Sequence, residues 1–91
     1  MKTVIHPRIA QRHPELTEKD VREAWNNFLL SGTRTESKNF PEVVRIGYDK
    51  QGREIEMVGA QTDDAWLVFH AMTPASKKTI RELDQIRGKR I

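Results

Sequence analysis

The sequence lacks several residue types and patterns, and each absence narrows the possible functions. It contains no cysteine, which excludes disulfides, thiolate zinc sites and a cysteine nucleophile. No window approaches the roughly eighteen consecutive apolar residues that a transmembrane helix needs. Residues 1–15 contain no apolar core of a signal peptide. We therefore expect a single domain, residues 1–91, that acts in the cytoplasm and does not bind a membrane.

Charged residues are abundant, at 32% of the chain, and they are unevenly distributed. The net charge of the chain is +3. Residues 76–91 alone carry six cations and two anions, a net charge of +4 that is larger than the net charge of the whole chain. A basic C-terminal segment suits a nucleic acid or an acidic protein partner. A solvated helix that ends in a frayed basic tail at residues 88–91 explains the same charges without a ligand.

Hydrophobic periodicity predicts three helices. Pro7 fits the first turn of a short helix, where a missing N–H costs nothing. Thr17 and Asp20 have the spacing of a capping box, and the apolar residues after them recur at helical spacing. The predicted helices span residues 8–13, 18–30 and 75–87.

Three segments in the middle of the chain are rich in apolar residues and are separated by short turns. This pattern predicts an antiparallel meander, preceded by a mobile loop at residues 31–41. The predicted strands span residues 43–48, 53–60 and 65–71. The expected fold is therefore α+β, with two N-terminal helices, a three-stranded antiparallel meander and a C-terminal helix.

His70, at the end of the third predicted strand, is the residue with the clearest chemical potential. An imidazole takes up or releases a proton around neutral pH. Strand alternation places Arg45, Glu56 and Trp66 on the same face as His70, so Arg45 and Glu56 could orient the ring. Trp66 could stack on a base or contact a partner protein. A half-exposed histidine without a catalytic role fits the same pattern.

Three cations lie near the start of the third predicted helix. Lys77 and Arg81 are four residues apart and project from one helical face. The helix dipole favours anions at this end, so a bound anion would explain why cations occur here. Ordinary solubility, with Lys78 paired to Glu82, explains them equally well.

The two N-terminal histidines, His6 and His13, are seven residues apart. A metal site would need a closer pair or a third ligand at fixed spacing. We therefore expect surface or capping roles for both histidines, and neither a metal nor a cofactor.

Two segments that together cover most of the chain resemble a known family. IGYDKQGREIEMVGAQTDDAWLVFHAMTPASKKTIREL is similar to the first hairpin, third strand and basic helix of the BrnT-like toxins of bacterial type II toxin–antitoxin systems. HPRIAQRHPELTEKDVREAW is similar to their first two helices. The resemblance implies a RelE-like α+β fold, a metal-independent endoribonuclease acting on mRNA, free or on the ribosome, and a cognate antitoxin that occludes it.

The match to this family is partial at the level of single residues. Gly52 and Arg53 match the Gly-Arg step at the start of the family's second strand, and His70 with Ala71 matches a polar-Ala step. Met72 stands where the family commonly has arginine, so a phosphate-binding cation is missing there. The resemblance then implies that cations of the C-terminal helix replace it, or that catalysis is absent.

Two hypotheses follow. In the first, the chain is an endoribonuclease toxin in which the 2′-OH attacks the adjacent phosphate, an imidazole transfers the proton and cations stabilise the phosphoryl charge. In the second, the same basic surface belongs to a non-catalytic nucleic-acid- or protein-binding module anchored by Trp66. The predicted site residues are His70, Arg53, Lys77 and Arg81 for catalysis, Arg45, Trp66 and Lys78 for substrate binding, and Glu56 for orientation.

Overall fold

The computed structural model describes residues 2–34 and 41–88 and shows an α+β fold with a five-stranded mixed sheet and three helices. In chain order the elements are β1 (Lys2–Ile5), α1 (Arg8–Arg12), α2 (Glu18–Asn26), β2 (Phe28–Arg34), β3 (Glu42–Tyr48), β4 (Glu54–Gln61), β5 (Ala65–Met72) and α3 (Lys77–Gly88). The strand order is β1-β5-β4-β3-β2. β1 runs parallel to β5, and every other neighbouring pair is antiparallel.

The predicted RelE-like arrangement, with a three-stranded meander, is wrong because a further strand flanks the meander on each side. The second helix ends at Asn26 rather than at residue 30, and β2 follows it directly. Leu30 pairs with Ile46 of β3 and packs against the core under α3. This tertiary pairing outweighs a local apolar pattern that fits a helix equally well.

The predicted loop and tail are also corrected where the structure describes them. Residues 31–34 belong to β2 rather than to a loop, while residues 35–40 lie outside the described residues. Gly88, predicted to belong to the frayed tail, is the last described residue of α3, and residues 89–91 lie outside the described residues.

The helices cover both faces of the sheet. α1 and α2 pack on one face, where the fully buried Trp25 is the largest core residue. α3 packs on the other face through Leu83 and Ile80. The predicted capping box of α2 is confirmed, because Thr17 Oγ1 accepts from the N–H of Asp20 at 3.1 Å and Asp20 accepts from the N–H of Thr17 at 3.1 Å.

A β-bulge in β5 decides which way His70 points. Gly59 of β4 pairs with Val68, whereas the preceding Val58 pairs with His70, so Phe69 is an extra residue in β5. Val68 therefore faces α2, and His70 faces the α3 side with Val58. A bulge of this kind re-aims the side chains that follow it.

The expectation that Arg45 shares a face with Glu56 and His70 is wrong. Arg45 pairs with Met57, which belongs to the core on the α2 side, and Glu56 pairs with Ile46 on the α3 side. Neighbouring residues of a strand point to opposite faces, so an error of one residue in register exchanges the faces.

Within residues 2–34 and 41–88, no helix is long and apolar enough to cross a membrane.

Candidate functional site

The outer edge of β5 is only partly covered by β1. β1 pairs with Ala65 to Val68, and the chain then leaves the sheet after the N–H of His6 donates to the carbonyl of Val68 at 2.9 Å. α1 lies beside the uncovered end of β5, where Arg8 Nη2 approaches the carbonyl oxygen of Phe69 at 3.5 Å. This departure of β1 creates a gap between α1 and β5.

A pocket of about 120 Å³ occupies this gap. Two arginines and two histidines contribute to its lining, and none of its lining residues in the described part of the chain is acidic. A small concave site with this charge suits an anion such as a phosphate group. The lining residues are Arg8, Ile9, Arg12, His13, Phe69, His70 and Ala71.

His70 is held by a buried carboxylate. Its Nε2 lies 2.8 Å from Oε2 of Glu56, whose side chain is 6% exposed, whereas the side chain of His70 is 39% exposed. A buried carboxylate that holds one ring nitrogen fixes the tautomer and the orientation of an imidazole. The ring is thus both positioned from inside the protein and accessible from outside.

Glu56 also holds the start of α3. Its Oε1 accepts from the backbone N–H of Ser76 at 2.7 Å, and Ser76 Oγ in turn accepts from the N–H of Thr79 at 3.2 Å. Burial raises the pKa of Glu56, but hydrogen bonds from His70, Ser76 and Thr79 outweigh it and lower the pKa to about 2. Glu56 is therefore ionised at neutral pH and, as a group that only accepts hydrogen bonds in this form, it accepts the Nε2–H of His70.

A second glutamate of β4 supports the same segment. Glu54 Oε1 accepts from the N–H of Ala75 at 3.1 Å, and its backbone carbonyl accepts from Thr73 Oγ1 at 2.6 Å. The chain between β5 and α3 is thus tied to β4 at several points. This fixes the position of Glu56 relative to the helix N-terminus.

His13 reaches the pocket from the other side, at the C-terminal end of α1. The backbone N–H of His13 donates to the carbonyl oxygen of Ile9 at 2.8 Å, and Nδ1 of its ring lies 3.8 Å from Oε2 of Glu15. His6 instead caps the start of α1, because its Nδ1 accepts from the N–H of Arg8 at 3.0 Å. Two imidazoles, each beside a carboxylate, therefore flank one basic pocket, and His6 lies outside its lining.

Arg53, predicted to be catalytic, is engaged in a structural network. It donates to the carboxylate of Asp49 at 2.8 Å, to the carbonyl of Glu15 at 2.8 Å and to Asp20 at 3.1 Å. Hydrogen bonding to Asp49, followed by smaller effects, raises the pKa of Arg53. These contacts join the β3–β4 turn to the start of α2. Each of the three guanidinium nitrogens already donates to a protein oxygen, which disfavours a role as a phosphate ligand.

Arg45 and Trp66, predicted to bind substrate, lie on the opposite face from His70. The guanidinium carbon of Arg45 is 4.2 Å from the centroid of the Trp25 ring and 4.1 Å from that of Phe28, and Trp66 packs edge-on against Trp25 with centroids 5.5 Å apart. Burial lowers the pKa of Arg45. These contacts are a cation–π cluster that stabilises the packing of α2 on the sheet.

The α3 cations are not among the described lining residues of the pocket that contains His70. Lys77, Lys78 and Arg81 are exposed, and the last two line a groove with Glu82 and Gln85. No described side chain of α3 lines the pocket beside His70. Of the predicted set, the structure therefore brings together His70 and Glu56, whereas the described lining of the His70 pocket contains none of the predicted cations.

Arg8, Arg12 and His13 are the pocket residues that sequence reasoning missed. Arg8 and Arg12 are four residues apart on the predicted first helix, so their common face was visible in the sequence. What the sequence did not reveal is that β1 pairs with β5 and so places this helix against His70. Among the described residues, no group of three or more His, Cys, Asp or Glu side chains could hold a metal ion.

No protein-family model matches this chain, and neither a curated protein nor a solved structure matches it significantly. The resemblance to BrnT-like toxins therefore stays a prediction that rests on the motifs quoted above.

Proposed function

We propose that this protein is a metal-independent endoribonuclease and that it cleaves RNA at the pocket between α1 and β5. One observation supports this most strongly: His70, held by Glu56, lines the same small pocket as Arg8, Arg12 and His13. Imidazoles can transfer protons, and guanidinium groups beside them can stabilise negative charge. Phosphodiester cleavage without a metal requires both.

Arg8 and Arg12 would bind the scissile phosphate. Guanidinium groups donate hydrogen bonds in pairs to phosphate oxygens and keep their charge at any physiological pH. The pocket volume of about 120 Å³ is below the roughly 300–1,000 Å³ of typical small-molecule sites. A single phosphate group fits such a space better than a whole nucleotide does, so the flanking nucleotides would extend across the surface.

His70 would act as the general base and His13 as the general acid. His70 Nδ1 removes the proton of the 2′-OH, the O2′–P bond forms and the P–O5′ bond breaks, while His13 in its protonated form donates a proton to the leaving 5′ oxygen. The products are a 2′,3′-cyclic phosphate and a 5′-hydroxyl end. Arg8 and Arg12 stabilise the charge that develops on the phosphoryl oxygens.

The resemblance to BrnT-like toxins extends the proposal to a biological role. The RNA would be mRNA in the bacterial cytoplasm, and a cognate antitoxin would block the pocket. Met72 replaces an arginine that is common in the family, and Arg8 and Arg12 would supply the missing cations from α1. This assigns to α1 the role that the sequence had suggested for α3.

RNA cleavage by purified protein in the presence of EDTA tests the proposal. We expect His70→Asn to lower the rate by about 10²–10⁴-fold, the usual contribution of a general base. His6→Asn is the matched control, because His6 lies outside the pocket lining and asparagine retains an acceptor for the N–H of Arg8. Equal rates for wild type and His70→Asn would rule out this site.

A second measurement separates the enzyme from a binding module that uses the same basic surface. RNA binding that weakens steeply with salt, without any cleaved product, would favour the binding module. Growth arrest on induced expression in bacteria, abolished by His70→Asn, would favour the toxin.

A further inference from the structure

The pocket between α1 and β5 is lined by two imidazoles that stand in different surroundings. His70 lies 2.8 Å from Glu56, a carboxylate whose side chain is 6% exposed. His13 lies 3.8 Å from Glu15, a carboxylate whose side chain is 48% exposed. Both rings are themselves accessible, with 39% of the His70 side chain and 34% of the His13 side chain exposed. A bound reactant and water can therefore reach both.

RNA cleavage by the proposed mechanism leaves these two rings with exchanged protonation states. His70 has taken up the proton of the 2′-OH, and His13 has given its proton to the leaving 5′ oxygen. The new positive charge on His70 lies beside the carboxylate of Glu56, which is ionised at neutral pH. A buried carboxylate in this position stabilises the imidazolium that forms. Cleavage thus ends with His70 held as an acid and His13 left as a base.

The cyclic product keeps the group that the pocket is suited to bind. A 2′,3′-cyclic phosphate is an anion, and Arg8 and Arg12 line the pocket with no acidic residue among its described lining. Guanidinium groups bind phosphate oxygens through paired hydrogen bonds. The product can therefore stay bound after the 5′-hydroxyl fragment leaves, and the departure of that fragment opens the phosphorus atom to water.

We propose that the same pocket then hydrolyses the 2′,3′-cyclic phosphate to a 3′-phosphate, with the roles of the two histidines exchanged. His13 removes a proton from water, a bond forms between the water oxygen and phosphorus, the P–O2′ bond breaks, and His70 donates its proton to O2′. Both histidines return to the protonation states with which cleavage began. This inference rests on the proposed function and adds a second activity to it, the hydrolysis of a cyclic phosphodiester.

The second imidazole is what this step requires. Among the described lining residues, His13 is the one group besides His70 that can exchange a proton near neutral pH, because arginine stays charged. A pocket with His70 alone would have no base to activate water once His70 carries the proton. Both steps therefore use His13, as an acid in cleavage and as a base in hydrolysis.

Hydrolysis of a nucleoside 2′,3′-cyclic phosphate, followed by phosphorus NMR in the presence of EDTA, tests the second step without RNA. We expect wild type to form the 3′-phosphate alone, because the proton is delivered to O2′. His13→Asn and His70→Asn should each hydrolyse it about 10²–10⁴-fold more slowly. His6→Asn is the matched control and should react at the wild-type rate, since His6 lies outside the pocket lining.

A nucleoside with a 3′-nitrophenyl phosphodiester separates the two steps within one reaction. Nitrophenolate leaves without a proton, so cleavage of this substrate does not need His13, whereas hydrolysis of its product does. His13→Asn should therefore release nitrophenol at nearly the wild-type rate and accumulate the cyclic phosphate. Wild type should proceed to the 3′-phosphate. Circular dichroism of the variants checks that they fold.

The possible outcomes distinguish this inference from the proposed function. Wild type that cleaves RNA but leaves the cyclic phosphate intact, His13→Asn that hydrolyses it at the wild-type rate, or a product that contains 2′-phosphate would each overturn the inference and leave the endoribonuclease standing. Hydrolysis of the cyclic phosphate without cleavage of RNA would support the second activity and reject the endoribonuclease. A folded protein that is inert towards both substrates would reject both.

Discussion

Oε2 of Glu56, in β4, lies 2.8 Å from Nε2 of His70, in β5. The other oxygen of the same carboxylate accepts from the backbone N–H of Ser76 at 2.7 Å. One buried side chain therefore orients the candidate base and fixes the N-terminus of α3. A substitution of Glu56 should therefore affect both the stability of the fold and the orientation of His70.

The acid stability of the protein should depend on Glu56. The pKa of this carboxyl is about 2 in the folded protein, against an ordinary value of 4.5. The unfolded state thus binds the proton more tightly, so the contribution of Glu56 is fully present above pH 4.5 and is lost as the pH falls towards 2. The depressed pKa corresponds to about 3 kcal/mol of unfolding free energy.

Urea unfolding of wild type and Glu56→Gln as a function of pH measures this contribution. We expect the variant to be less stable at neutral pH and to lose less stability between pH 4.5 and 2, because glutamine does not titrate. If the unfolding free energies of wild type and Glu56→Gln change equally between pH 4.5 and 2, Glu56 does not titrate with the depressed pKa.

His13 should matter most when the leaving group is poor. If it donates the proton to the 5′ oxygen, a substrate whose leaving group needs no protonation bypasses it. We expect His13→Asn to cleave a dinucleotide about 10²-fold or more slowly than wild type, but to cleave a 3′-nitrophenyl phosphodiester of a nucleoside at nearly the wild-type rate. His70→Asn should be slow on both substrates.

The pattern of rates separates two kinds of failure. Equal losses for His13→Asn on both substrates would reject an acid role for His13 while leaving the nuclease intact. Full activity of both variants on both substrates would reject the pocket itself.

Substitution of Arg12 should lower activity without affecting stability, and substitution of Arg53 should lower stability without affecting activity. Arg12 is exposed and lines the pocket, so Arg12→Ala should lower the rate of RNA cleavage by about 10–10³-fold through lost phosphate contacts and leave the unfolding midpoint unchanged. Arg53→Ala removes donors from the fully buried Asp49 side chain and from Asp20. It should lower the unfolding midpoint without changing the activity of the folded fraction.

Thermal unfolding and steady-state kinetics on the same preparations provide the comparison. Loss of activity in folded Arg53→Ala that exceeds the loss in Arg12→Ala would restore Arg53 as a site residue.

The elements that local signals specify were predictable from the sequence. Thr17 and Asp20 predicted the start of α2 because a capping box is formed within four consecutive residues. β2 was not predictable in this way, since the apolar residues from Phe28 to Leu30 fit a helix until β3 is present to pair with them. Lys2–Ile5 is too short to give a periodic signal, and its pairing with β5 is a non-local contact.

The residues of the candidate site also divide into those that the sequence predicts and those that depend on non-local contacts. His70 and Glu56 were correctly expected to lie together, since both strands belong to the predicted hairpin. Arg45 was placed on the wrong face because register depends on the pairing of β3 with β4, which alternation within one strand does not specify. Arg8 and His13 reach the pocket only through the pairing of β1 with β5, a non-local contact that no local pattern specifies.

The contact between Gly59 and Trp25 tests the packing of α2 on the sheet. A Cβ atom at residue 59 would lie 2.8 Å from Cη2 of Trp25 and 3.1 Å from the carbonyl oxygen of Leu67. Trp25 is fully buried and cannot move without displacing α2. We therefore expect Gly59→Ala to lower the free energy of unfolding by about 1–3 kcal/mol, the usual cost of overpacking a core.

Gly52→Asn is the matched control for this variant. Gly52 has a φ of +78°, and a Cβ atom at this position would have no neighbouring atom within 4 Å. Asparagine tolerates the left-handed region better than most residues. Urea unfolding followed by tryptophan fluorescence should show a clear loss of stability for Gly59→Ala and a small one for Gly52→Asn. Equal stability of Gly59→Ala and wild type would mean that the Trp25 ring packs less closely on β4 than the structure indicates.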